Sequence, residues 1–476
     1  MTHHKKIVYT GLFSLLFLWQ ACKVPLLLEK KENRDLTGAY NTKTDTLNVS
    51  SISWKDYFGD QYLIGLIDTA LANNQELNIV KQEIEISRNE IRVRKGEYIP
   101  FVGMTGGLGY EKIGKYTWRG GVEKNLSNTN QPEILESKSD FIFGPSASWE
   151  LDVWKKLRNA KDAAVQRYLG SIDGKNYLIT TLISEISNSY YELLALDNLL
   201  QIVQRNIVIQ SDALNVVKAQ KDAAKVTLLA VNRFEAQLLR TQNLQYDIKQ
   251  KITETENRIR FLTGKSTLSI QRSSADFYSV SVDSIQTGIP SQLLINRPDV
   301  HQAEKDMVAA KLDMKSARAN FYPSFRITAQ SGFQAFSPKF LFNPQALIYN
   351  LIGEIVAPVI NRNAIKANYY NSGAKQIQTV YRYEQIVLNA YLDVLNEMVR
   401  LDNYTKSFQL KSNEVNIRNE SITISNMLFN SARADYGEVL FTQGEALDAK
   451  MELIEIKLQQ LHSKVNLYKA LGGGWR

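Results

Sequence analysis

Apolar residues in this chain recur at alternating steps of four and three over lengths that a globular core cannot use. Leu447, Met451, Ile454, Leu458, Leu461, Val465 and Tyr468 hold the stepping across three heptads. Residues 155 to about 217 predict another helix, with a break expected near Gly170–Gly174. In it Ile179, Ile183, Ile186, Tyr190 and Leu193 keep the step, and after one slip Leu196, Leu200, Val203 and Ile207 continue it. Phe234, Leu238, Thr241, Gln245, Ile248 and Ile252 extend the theme. Sustained heptads mean coiled-coil packing. About sixty helical residues reach roughly 90 Å at 1.5 Å per residue. Ten prolines in 476 residues suit such helices.

A second pattern is grafted onto the first. Asn296, Pro298 and Asp299 open a helix, and Ala303, Met307, Ala310 and Met314 continue it. From Phe321 the period becomes two: Phe321, Phe325, Ile327, Ala329 and Phe333 alternate with Tyr322, Ser324, Arg326, Thr328 and Gln330. Residues 60–110 repeat the change, a helix from about Asp60 to Gly96 running into Tyr98-Ile99-Pro100-Phe101. Strands are expected at about 98–110, 140–153, 321–334 and 347–359. Residues 111–138 read as a long exposed loop.

The N-terminus carries an address. His3-His4-Lys5-Lys6 precedes an apolar run, Ile7 to Trp19, then Gln20-Ala21-Cys22. This is a secretory signal over residues 1–21, its apolar run too short to span a bilayer comfortably. Cys22, the only cysteine, stands where a bacterial lipobox places its acylated residue, although Trp19 departs from that pattern. Losing Lys5 and Lys6 with the signal takes the formal charge from +8 to +6. No dense basic cluster points to nucleic acid. Residues 22–58 read as a lipidated lead-in. No later run reaches the roughly 18 apolar residues of a membrane helix.

The halves match. Leu262-Thr263-Gly264 precedes Leu471-Gly472-Gly473 by 209 residues, and the same offset sets Ala223-Ala224-Lys225 on Ala432-Arg433-Ala434. Two repeats follow, 59–270 and 271–476, each reading helix, strand, loop, strand, helix, helix. Four amphipathic strands cannot close a membrane barrel, which needs about eight or more. An open edge in lipid leaves backbone groups unpaired. Membrane strands here require an oligomer of 8, 12 or 16 strands, and the residues do not choose among these.

Several motifs resemble the TolC-like outer-membrane efflux factors, in particular their lipoprotein branch. They are the RPD run at Arg297 with the AR-A and YPS that follow, Trp149-Glu150-Leu151-Asp152, Ala357-Pro358 with Ala367-Asn368, and the closing Tyr468-Lys469-Ala470-Leu471-Gly472-Gly473-Gly474-Trp475. The similarity covers nearly everything from residue 54. Asn296, where the family usually has a second arginine, and Asn361-Arg362-Asn363, in place of a more glycine-rich turn, depart from it.

The resemblance implies an α+β membrane protein. A homotrimer would close a twelve-stranded barrel in the outer membrane, with an α-helical barrel of long coiled-coil helices across the periplasm. Glu150, Arg326, Gln330 and Glu354 would line the channel. Lys225, Val226, Thr227, Ala434, Asp435 and Tyr436 would form hairpin tips that dock a periplasmic adaptor, which joins an inner-membrane pump. Glu420 and Thr423 would approach the periplasmic gate, where acidic residues are usual.

Enzyme chemistry finds little support. No HExxH or CxxC occurs, and Gly264-Lys265-Ser266 lacks the first glycine of a phosphate loop because Ile259 holds that place. No metal, cofactor or enzymatic activity is expected. The expected function is the passive channel of a tripartite efflux system exporting small molecules. The alternatives are the outer-membrane component of type I protein secretion and a periplasmic coiled-coil protein without a pore.

Overall fold

The computed structural model describes residues 24–27, 29–33, 51–114, 116–126, 138–274, 277–280, 287–431 and 433–475. The expected signal and Cys22 lie outside them. The order is α1 (Trp54–Phe58), α2 (Gln61–Asn73), α3 (Gln75–Tyr98), β1 (Phe101–Glu111), α4 (Trp118–Leu126), β2 (Lys138–Leu151), α5 (Lys156–Asp222) and α6 (Leu228–Thr263). After these come α7 (Leu293–Asn296), α8 (Pro298–Ala319), β3 (Ser324–Ala335), β4 (Leu347–Val356), α9 (Asn363–Asn430) and α10 (Tyr436–Ala470).

Two compact units are present. One comprises Met1–Lys31, Glu85–Leu169 and Lys305–Val380, and holds the sheet. The other comprises Glu32–Ile84, Gly170–Glu304 and Tyr381–Arg476. Its core gathers the heptad side chains predicted from sequence, among them Ile183, Ile186, Tyr190, Leu193, Ile454, Leu458, Leu461 and Val465. Each fully buried aliphatic side chain contributes about 1.5–3 kcal/mol, so the seams, rather than intrinsic propensity, hold the long helices.

Four sequence expectations need correction. The break near Gly170–Gly174 is absent, because α5 runs 67 residues without interruption. Gly174 instead gives room to Gln302: a Cβ there would sit 3.1 Å from its Oε1. The helix from Asp60 to Gly96 is two helices. Asn74 ends α2 and caps α3, its Oδ1 accepting from the Leu77 amide at 2.8 Å. Phe321 belongs to a buried cluster with Met314 and Tyr369, not to the strand, which begins at Ser324. The stretch 111–138 contains α4 before residues 127–137, which are outside the described set.

The spacing of the halves is also corrected, since the geometry repeats at 208 residues where sequence matching gave 209. Gly264 and Gly472 both have left-handed backbones, φ 67° and 87°. The Lys265 amide donates to the Arg260 carbonyl as the Gly473 amide does to Tyr468, and the Lys225 amide to Gln220 as Arg433 does to Leu428. Before the hairpins the spacing is 223 residues, as from Phe101 to Ser324 at the strand starts. The shorter β3–β4 connection accounts for the change.

The RPD motif has a structural role here. Arg297, its side chain 8% exposed, binds Asp299 through Nη2 at 2.6 Å and Asp393 through Nη1 at 3.3 Å. Nη1 also donates to the Ala470 carbonyl at 3.2 Å, capping the negative end of α10. Burial works against its charge, but the two carboxylates outweigh it and hold its pKa above the ordinary arginine value. Trp475 Nε1 and the close approach of Gly472 both meet the Asn296 carbonyl.

Candidate functional site

The four strands form one antiparallel sheet in the order β1-β2-β3-β4, and their register sorts side chains onto two faces. On one face Val102, Ala147, Ala329 and Leu351 make a row across all four strands. Trp149 opposite Ile327, and Leu151 opposite Phe325, itself opposite Ile355, add further apolar rows. Phe141 and Phe143 share this face. Leu351 is 75% exposed and Tyr349 86%, so a broad apolar surface is uncovered.

The opposite face is largely polar. Glu150, Arg326 and Glu354 stand side by side on β2, β3 and β4. Glu150 also pairs with Lys156 at the start of α5. Two rows further on, Ser146, Gln330 and Asn350 align, and Thr105 donates to Ser146 Oγ at 2.8 Å. Near the far end Gln334 Nε2 donates to Asp140 Oδ2 at 2.7 Å. Phe101, Ile142, Ile348, Ile352 and Val356 are apolar exceptions.

Small residues set how closely the strands approach. A Cβ on Gly144 would lie 2.1 Å from the Ser331 carbonyl oxygen, and one on Gly332 2.3 Å from that of Phe143. Only glycine permits this crossing. At the sheet margin Trp154 stacks on Tyr322 at 4.7 Å and its Nε1 donates to the Pro323 carbonyl at 2.8 Å. Asp152 caps α5 by accepting from the amides of Leu157 and Arg158, at 3.0 and 2.9 Å. The Trp-Glu-Leu-Asp run is thus a strand end joined to a helix cap.

The two hairpin turns are similarly built. Residues 223–227 join α5 to α6 and residues 431–435 join α9 to α10. Ala224 takes a left-handed conformation, φ 57°. Asp435 caps α10 through Oδ1, 2.6 Å from the Gly437 amide and 3.0 Å from Glu438. Lys225, Thr227 and Asp435 are exposed, while Val226 is half-buried. Tyr436, expected in the turn, is instead the first residue of α10. It packs with Val226 and Leu440 against Leu214, Val217, Ala230, Val231 and Phe234. The two tips therefore share one apolar cluster.

Glu420 and Thr423 lie three residues apart on α9, both exposed. The sequence reading missed the charged ladder beside them. Lys411 binds Glu414 at 2.7 Å and Glu452, and Arg418 binds Glu414 at 2.8 Å and Glu445. The i, i+3 and i, i+4 spacing of Lys411, Glu414 and Arg418 was a readable signal for it. No group of three or more His, Cys, Asp or Glu among the described residues could hold a metal ion.

The family model for outer membrane efflux proteins matches residues 66–265 and 289–473. The solvent efflux pump outer membrane protein SrpC of Pseudomonas putida is 25% identical over 421 residues, 88% of this chain and 87% of that protein. The cation efflux system protein CusC of Escherichia coli is 24% identical over 431 residues, 90% of each. A crystal structure of a Pseudomonas aeruginosa membrane protein superposes with a TM-score of 0.84 at 21% identity, covering 94% of this chain and 99% of that one.

Proposed function

The chain belongs to the outer membrane efflux protein family, and on that premise we propose that it works as a passive trimeric duct. It is an outer-membrane channel component of an efflux system, reaching into the periplasm. The finer reading rests on one observation above all. A sheet with an exposed apolar face and a polar face has open edges at β1 and β4, and is joined to coiled-coil helices. In lipid those edges need partners, and copies of the same chain supply them. Three copies give twelve strands, enough to enclose a water-filled lumen.

In this reading Glu150, Arg326, Gln330 and Glu354 line the lumen, and the apolar rows face lipid. Lys225, Val226, Thr227, Ala434, Asp435 and Tyr436 present the adaptor-docking end, and the adaptor connects to an inner-membrane pump that supplies the energy. Glu420 and Thr423 contribute to the periplasmic constriction. Cys22 carries the lipid anchor. Selectivity comes from width and lining charge. Relatives named for solvents and for cations do not narrow the cargo.

Deleting the gene and comparing sensitivity to solvents, drugs and metal ions with the level of secreted proteins tests the export reading. Heightened sensitivity with normal secretion supports efflux, whereas lost secretion with unchanged sensitivity assigns the chain to protein export. For the anchor, radiolabelled palmitate should enter the wild type and be lost in Cys22→Ala.

A further inference from the structure

Between β4 and α9, Arg362 lies half-buried with its guanidinium carbon 5.0 Å from the centre of the Phe321 ring. Its Nε and Nη2 are closed off from solvent and find no hydrogen-bond acceptor among the described residues. The ring face offsets part of the cost of burying a cation, but two dry, unmet donors remain strongly unfavourable. The geometry calls for an oxygen acceptor brought from outside, and an anionic one answers the charge as well as the donors.

The surroundings say where that oxygen comes from. Phe321 is buried with Met314 and Tyr369, and Val24, Leu27 and Ile365 pack on them. The lead-in is held there by its own contacts. Leu27 fills the notch at Gly373, where a Cβ would sit 2.7 Å from Leu27 Cδ1. The Lys30 carbonyl accepts from Gln376 Nε2 at 3.0 Å, and Glu29 pairs with Lys311 at 3.4 Å. Ile365 also lines an open cavity of about 440 Å³, with Trp154, Tyr322 and Pro358 on its apolar side and Glu150, Asp152 and Lys156 on its polar side. Arg362 follows the last residue of β4 by six positions, so placing the strands in the membrane sets it at the level of the periplasmic-leaflet headgroups.

We propose that Arg362 and the Phe321–Ile365–Tyr369 cluster bind the headgroup phosphate of a glycerophospholipid, with an acyl chain against Ile365. The proposal rests on the membrane placement of β1–β4 made above. A guanidinium with unmet donors at a membrane boundary is suited to such a headgroup.

The full chain, purified in detergent, is titrated with phosphatidylglycerol and bound lipid is read by native mass spectrometry. The wild type should bind one lipid per chain, and Arg362→Gln should bind at least ~tenfold more weakly. Arg362→Lys should keep most of the affinity, and Arg88→Gln, on the exposed side of α3, all of it. Unchanged binding in Arg362→Gln would overturn the site, as would equal binding of dioleoylglycerol, which has no phosphate. Displacement by excess inorganic phosphate alone would make it a free-anion site. Binding that appears only in Cys22→Ala would show that the chain's own anchor fills it. If Arg362→Gln does not assemble, Arg362→Lys decides: retained phosphatidylglycerol without dioleoylglycerol supports the proposal, and the reverse refutes it. A wild type that does not fractionate with outer membranes would sink the membrane placement itself, independently of these results.

Discussion

Arg297 donates to the carbonyl of Ala470 at 3.2 Å, so a side chain at the start of α8 closes the end of the last helix. The first half makes the same junction with a neutral residue. Asn74 Nδ2 donates to the Leu262 carbonyl at 2.9 Å, at the spacings of 223 and 208 residues that relate the halves. In both places the carbonyl just before the cap, Asn73 or Asn296, lies against the left-handed glycine, Gly264 or Gly472. One junction is neutral and the other is held by a buried arginine paired with two carboxylates.

Arg297→Ala leaves Asp299 without its buried partner and Ala470 without its donor. The loss should be about 3–5 kcal/mol, read as a lowered midpoint of denaturant unfolding in detergent. Arg297→Lys should recover only part, because one ammonium cannot reproduce the fork. A variant as stable as wild type would contradict the clamp.

Glycines separate by surroundings. A Cβ on Gly472 would meet the Asn296 carbonyl oxygen at 2.5 Å with φ at 87°. Gly472→Ala should therefore destabilise by about 1–3 kcal/mol. Gly65 lies inside α2, and a Cβ there would find nothing within 4 Å. It should behave oppositely: Gly65→Ala gains about 0.5–1 kcal/mol. Thermal unfolding of the two variants side by side checks the contrast.

Lys457 is buried in the helical core, donating to the Val280 carbonyl at 2.9 Å. Burial, with a smaller push from Lys464, lowers its pKa from 10.5 to about 8. Its folded value lies below its unfolded one, so the unfolded chain binds more protons between those two pH values. Lys457 thus makes stability rise as pH climbs from about 8 towards 10.5. Lys457→Met should flatten that segment of the stability–pH curve. An unchanged slope would show that Lys457 stays fully charged when folded.

The Glu150–Arg326–Glu354 row carries a net charge of −1 per chain. Arg326→Glu makes it −3 and, if the row lines the lumen, should shift the reversal potential across a salt gradient towards stronger cation preference. No shift would place the row outside the ion path.

Most of the helical framework was legible because coiled-coil periodicity is a local pattern repeated many times. Ile183, Ile186, Leu458 and Leu461 are core residues in both sequence and structure. The strands were legible for the same reason, through alternation at Phe325 and Ile327. Contacts made at long range were not. Arg297 reads as an ordinary helix-start residue until Ala470 and Asp393 arrive from 173 and 96 positions away. Gly174 reads as a helix break because a sequence does not display the Gln302 side chain lying against it. The 209-residue match went one residue astray because it aligned glycine letters, whereas the chain aligns left-handed turns. Which polar strand residues meet water depends on the other copies of the chain, and no single sequence carries that arrangement.

In the proposed duct, several copies of this chain close their open sheet edges around one aqueous path. Planar-bilayer recording of the purified full chain tests it most directly. Discrete, long-lived conductance steps, altered in ion preference by Arg326→Glu, are the predicted result. Protein that enters the bilayer without conducting under any condition, or never enters it, would contradict the account.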